Sequence, residues 1–174
     1  AARKEGVLLS LYVDGVRVDT GNAATDLAPP LDVILGGSFV GYLDELIVYN
    51  RALSDSQLQS LADPASAGIA RFELGFRNVK GVGLYDGLLT NLPFEELTGS
   101  TAFADLSANS HWGWCNTTSC PLSEAEGQFG RALTFDGIDD HIKLDPGLLG
   151  GPLTMSAWVK PRSPNGTQTI LYHG

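Results

Sequence analysis

Cys115 and Cys120, with four residues between them in CNTTSC, are the only two cysteines in a chain of 174 residues. No His or Cys stands near them at zinc spacing, so they fit a small disulfide loop better than a metal site; a pair of reduced thiols is the alternative. A disulfide implies an oxidising compartment, extracellular or at the cell surface. Just upstream, the loop from Asp105 to Asn109 offers carboxylate, amide and carbonyl oxygens. These are the hard donors that calcium takes at about 2.3–2.6 Å. The same residue types also close Asx turns with no metal, and both readings stand at this point. Trp112 and Trp114 precede the cysteines; exposed rings there would stack on a sugar, buried ones would anchor the loop. Asn116 and Asn165 each open an Asn-x-Thr sequon, a glycan acceptor where the host glycosylates.

Catalysis is not expected. Asp44-Glu45 and Glu95-Glu96 are adjacent pairs, which on a strand project to opposite faces. Glu124 and Glu126 have the right parity, but the stretch up to Glu126 reads as irregular. His111, His141 and His173 are scattered, and no Ser or Cys nucleophile has a recognisable base beside it.

The elements that must position these groups read as all-β. With 21 Gly, 9 Pro, 43% apolar and 18% charged residues, the chain suits a turn-rich protein with a buried core, of a length for one sandwich. A net charge of −9 argues against nucleic acid and anionic lipid surfaces as partners. No apolar run approaches the roughly 20 residues that span a bilayer, so membrane insertion is not expected. The chain lacks an initiator Met and ends after the strand-like TQTILYH, and so reads as a piece of a longer polypeptide.

Asp14-Gly15 predicts a tight hairpin turn between Val7–Val13 and Val16–Thr20, with Leu9, Leu11 and Val13 on one face. LDVILGG predicts a buried strand. In YLDELIVY the period of two puts Leu43 and Ile47 on one face, Leu46 and Val48 on the other. Ser54 and Gln57 have capping-box spacing ahead of Leu58 and Leu61, predicting at most two helical turns. RFELGF alternates as a half-buried strand should, and Pro93 places the strand before it at a sheet edge. ALTF, the Asp136-Gly137 turn, HIKL, LTMSAWVKP and TILYH complete the set. Trp158 is expected to pack in the core or between sheets, although it alternates with Ser156 and Lys160.

GQFGRALTFDGIDDHI at Gly127–Ile142 and LTMSAWVKP at Leu153–Pro161 resemble the front half of a LamG-like jelly roll, of the concanavalin A-like lectin and glucanase superfamily. LPFEELTGSTAFADLSANSHWG at Leu92–Gly113 is similar to that family's opening motif, with Leu92 and Ala108 departing from it. LYVDG at Leu11–Gly15, LGG at Leu35–Gly37 and GYLDELIVYNRALS at Gly41–Ser54 are similar to its closing pattern, yet they lie upstream. The halves are in permuted order, and the strands that the family places in the middle of the module are mostly missing.

The resemblance implies an antiparallel jelly-roll sandwich, incomplete or circularly permuted. Residues 1–62 would form the C-terminal half, 63–85 a linker with one strand, and 86–174 the N-terminal half. The two halves are expected to share one core, or to be completed by neighbouring copies. It also implies calcium near the loop Asp105–Asn109, beside Asp44 and Glu45, with Asp139 and Asp140 approaching. The carboxylate signature of the related glucanases is missing. The expected function is a non-catalytic carbohydrate-binding or adhesion module on a cell surface or matrix, one register of a tandem array. The alternative is a structural repeat that self-assembles by strand complementation.

Overall fold

A computed structural model describes residues 1–23, 33–65, 84–107, 109–144, 151–163 and 166–173. The expected strand in RFELGF and the sequon residue Asn165 lie outside the described residues. The protein is an all-β sandwich of antiparallel strands, with one helix among the described residues.

The chain opens with β1 (Ala2–Glu5), β2 (Leu8–Val13) and β3 (Val16–Asn22). Asp14 and Gly15 both hold positive φ, 49° and 73°, the two-residue turn whose twist matches the flanking strands. There follow β4 (Val33–Gly36), β5 (Val40–Tyr49), the helix α1 (Asp55–Ala62) and β6 (Leu88–Leu92). The remaining strands are β7 (Ala102–Phe103), β8 (Gly113–Trp114), β9 (Leu122–Glu126), β10 (Arg131–Asp136), β11 (His141–Leu144), β12 (Leu153–Pro161) and β13 (Leu171–His173). The stretch up to Glu126, expected to be irregular, thus carries three short strands. β7 and β8 have two residues each, too few to show a period of two in the sequence.

Sheet A runs β3-β2-β1-β12-β5-β10-β9, with β6 also on β5; sheet B runs β13-β4-β11-β8-β7. Strands from residues 1–62 and from 86–174 alternate in both sheets, β5 between β12 and β10 and β4 between β13 and β11. The Asp136-Gly137 turn carries the chain from sheet A to sheet B. Between the sheets lie Val33, Leu35, Leu43, Leu92, Phe103, Leu133, Phe135 and Ile142, each at most 1% exposed. Pro93 follows the last residue of β6, which pairs only with β5, so the edge expectation holds among the described residues.

The facing of β5 departs from a simple period of two. Glu45 sits at φ 52°, and the register against β12 slips between Ser156 and Trp158. This bulge inserts one residue and resets the alternation. Leu43, Leu46 and Val48 therefore all face the interior, while Ile47 and Tyr49 face outward under α1.

Ser54 Oγ accepts the Gln57 amide at 3.3 Å and Gln57 Oε1 accepts the Ser54 amide at 3.0 Å, the reciprocal cap that the spacing predicts. Leu58 and Leu61 then pack with Tyr12, Ile47, Tyr49 and Leu53 on the outer face of sheet A. No helix among the described residues is long and apolar enough to cross a membrane.

Candidate functional site

Cys115 and Cys120 form a disulfide with a Cα–Cα distance of 5.2 Å. Cys115 is buried at the end of the core, so the bridge pins the exposed loop 116–118 to the rim of sheet B. Asn116 is exposed on that loop, and the amide of His141 on β11 donates to Ser119 O at 3.0 Å.

The bridge fixes β8, where Trp112 and Trp114 alternate with the buried Gly113 and Cys115. Gly113 is inward and close: a Cβ there would stand 2.8 Å from Ile142 Cγ2. Small inside and large outside, this segment turns both indoles to the outer face of sheet B, 49% and 44% exposed. Trp112 immediately precedes β8, and Trp114 is its last residue.

A cross-strand row continues from them. Trp114 stands opposite Lys143, Lys143 opposite Ile34, and Ile34 opposite Tyr172. Residues directly opposite share a face, so this row crosses four strands, about 14 Å at about 4.8 Å per strand. Beside it a shallow depression of about 440 Å³ is lined by Ile34, Gly37, Thr118, Ser119, Asp139, His141 and Tyr172. Aromatic area, an aliphatic side chain and separated polar groups share one surface.

The loop from Asp105 to Asn109 spends its polar atoms on the protein. Asp105 Oδ1 accepts the amides of Asn91 (2.9 Å) and Ser107 (2.8 Å), and Oδ2 accepts Ser107 Oγ (2.7 Å) and the His111 amide (2.9 Å). A carboxylate offers about four lone-pair sites, and all four have protein donors. Asn109 Nδ2 donates to Leu88 O and Leu89 O, both at 2.9 Å. The loop is laced to β6 in the manner of an Asx turn.

Asp44 and Glu95 serve one turn. Asp44, 3% exposed, accepts the Phe129 amide at 3.1 Å through Oδ2, and Glu95 Oε2 accepts the Arg131 amide at 3.1 Å. The turn 127–130 has no room for side chains at either end. A Cβ on Gly127 would lie 2.5 Å from Asp44 Oδ2, and one on Gly130 2.3 Å from both Glu95 oxygens. Burial raises the Asp44 carboxyl to about 6 against the opposing pull of the backbone amides, and the charge of Glu95 raises it further. Glu45 is the bulge residue, and Glu96 Oε1 accepts the Ala104 amide at 2.7 Å.

Trp158 is not core. It lies half-buried on the outer face of sheet A, edge-on to Phe129 at 6.2 Å, because its partner in register is the outward Asp44. With Tyr42, Asp44, Gln128 and Lys160 it lines a cleft of about 210 Å³.

One carboxylate oxygen from each of Asp136, Asp139 and Asp140 lies within 4.8 Å of the others, the one such cluster among the described residues. Asp140 Oδ2 accepts the Asp136 amide (2.8 Å) and Asp136 Oδ1 the Ile138 amide (2.8 Å). The Asp140 carboxyl is raised by burial first and then by the charges of Asp136 and Asp139. Asp139 and Asp140 were legible as a pair, whereas Asp136 reads in the sequence as a turn residue. Asp105, Asp44 and Asp139 each answer to different neighbours, so the residues expected around one calcium occupy three settings.

Comparison with protein-family models, with curated proteins and with solved structures returned no match. The functional reading therefore rests on the fold and these surfaces.

Proposed function

We propose that this chain is a non-catalytic, extracellular carbohydrate-binding or adhesion module, a permuted LamG-like jelly roll that engages glycans on the outer face of sheet B. The observation that carries the reading is the pair Trp112 and Trp114, half exposed on one face and continued by the row Lys143, Ile34 and Tyr172. Indole faces offer apolar area to the C–H face of a sugar ring. Lys143, His141, Asp139 and Thr118 supply donors and acceptors for its hydroxyls around the same surface. The platform is preformed: the disulfide and the inward Gly113 fix the rings before any ligand arrives, which lowers the ordering cost of binding.

The non-catalytic reading is supported by what several carboxylates already hold. Asp44, Glu95 and Glu96 hold backbone amides, and Asp105 is saturated by protein donors.

A glycan array followed by calorimetry on the best hit tests the reading. Trp114→Ala should weaken binding at least about tenfold with the melting temperature little changed, since the exposed indole supplies the apolar area that a sugar ring would cover. A silent array, or a hit indifferent to Trp112→Ala and Trp114→Ala, overturns it.

A further inference from the structure

The register of sheet A locates an apolar surface that the sandwich leaves open. Ala2 stands opposite both Met155 and Leu11, and Lys4 opposite both Leu153 and Leu9. Opposite residues share a face, so Leu9, Leu11 and Val13 continue the interior face to which Leu153 and Met155 belong. Val16 stands opposite Val13; the register then shifts by one residue, so Val18 is the bulge residue and Asp19 stands opposite Leu11 at the edge of this face. This is core-facing chemistry, yet the five side chains are 42–63% exposed.

The reason is a mismatch between the layers. β1, β2 and β3 extend sheet A past β12, whereas sheet B ends at β13. Leu171 on β13 sits half-buried at the rim of the same core as Met155 and Ala157 on β12. Beyond that rim the three strands have no facing layer among the described residues.

We propose that a second copy of this chain covers the surface, with the two β2–β3 hairpins packed face to face about a two-fold axis. A two-fold contact must be self-complementary, and an apolar sheet face with its charges at the margins meets that condition. Five side chains about half exposed amount to about 500 Å² per copy, so two copies bring about 1,000 Å² together, the lower bound for a specific interface before the strand pairing below is added.

The same placement pairs one open edge of each sheet, β9 and β7 being the other ends. β3 ends sheet A and β13 ends sheet B, each paired on one side only among the described residues. Hairpins stacked at the usual sheet spacing of about 10 Å put β3 of one copy beside β13 of the other. Each hairpin then extends its partner's sheet B by strand addition, and both edges become ladders.

Sedimentation equilibrium on the full chain is the test, independent of the glycan face on sheet B. The expected result is a species of twice the 18.4 kDa monomer mass at micromolar concentration. Val16→Lys, at the most exposed of the five positions, should weaken it at least about tenfold while its far-ultraviolet circular dichroism matches the parent. Leu11→Cys should give an intermolecular disulfide on oxidation. A monomer at several hundred micromolar, an open-ended polymer, or a dimer unaffected by Val16→Lys and not cross-linked through Leu11→Cys overturns the proposal.

Discussion

The carboxylate of Asp44 receives the backbone N–H of Phe129 at 3.1 Å across 85 residues of sequence, joining β5 to the turn that connects β9 and β10. This bond ties the middle of sheet A to its far edge. It also puts a nearly buried acid where the turn leaves no space for a side chain at Gly127.

Stability should carry the signature of that acid. Burial raises Asp44 to about 6 from the ordinary 3.8, so between these values the folded protein binds more protons than the unfolded chain. The Asp44 contribution is therefore full below about 3.8 and lost as pH rises through about 6. We expect the difference in urea midpoint between the parent and Asp44→Asn to shift toward the parent as pH falls from 7.5 to 4.5, with its steepest change between the two pKa values, near about 5. A difference that stays flat over that range would mean an ordinary carboxyl.

Asp105→Ala should cost about 3 kcal/mol, because it orphans four donors at once and hydrogen bonds to charged groups are the expensive ones to lose. Ser107, 4% exposed, loses two hydrogen bonds in the same step. Asp105→Asn keeps an acceptor for Asn91 and Ser107 but turns an amide group toward the His111 N–H, so a cost of about 1–2 kcal/mol is expected. Denaturant titration at pH 7 checks both, and equal losses in the two variants would show that the second oxygen is idle.

What the sequence discloses and what it hides follow from range. The Asp14-Gly15 turn, the Ser54 and Gln57 cap and the Cys115–Cys120 bridge are each complete within six residues, and each is found as expected. The Glu45 bulge leaves no such trace, because nothing in YLDELIVY marks a glutamate for positive φ, and the facing of Leu43 changes with it. Asp44 with Phe129 and Glu95 with Arg131 are pairs 85 and 36 residues apart, so only the assembled sheet makes them visible. Trp112 and Trp114 could be flagged as a pair from their types. The row that extends them to Tyr172 depends on strand order in sheet B.

Removing the bridge should loosen that row. In the chain-entropy picture a six-residue disulfide loop is worth about 2 kcal/mol. We expect Cys115→Ala/Cys120→Ala to lose about that much, with amide exchange of His141 accelerated because its acceptor, Ser119 O, belongs to the loop. Dithiothreitol should destabilise the parent by a similar amount and leave the double variant unchanged. An effect of the reductant on the variant would point to a cause other than this bond.

Calcium binding can be decided at the β10–β11 turn. Three carboxylates whose oxygens lie within 4.8 Å repel one another, and that repulsion is part of what raises Asp140. A divalent cation would relieve it while adding oxygen ligands of the kind it prefers. If the turn holds calcium, adding it after chelation will raise the melting temperature, since a ligand held by the native state stabilises by about 2.7 kcal/mol at a hundredfold excess over its dissociation constant. Asp139→Asn should abolish the shift at little structural cost, because the carboxylates of Asp136 and Asp140 already hold the turn through the amides of Ile138 and Asp136. A parent that melts identically with calcium and with chelator would assign all three aspartates to the turn alone, and the step from sheet A to sheet B would then rest on backbone geometry and those two amide bonds.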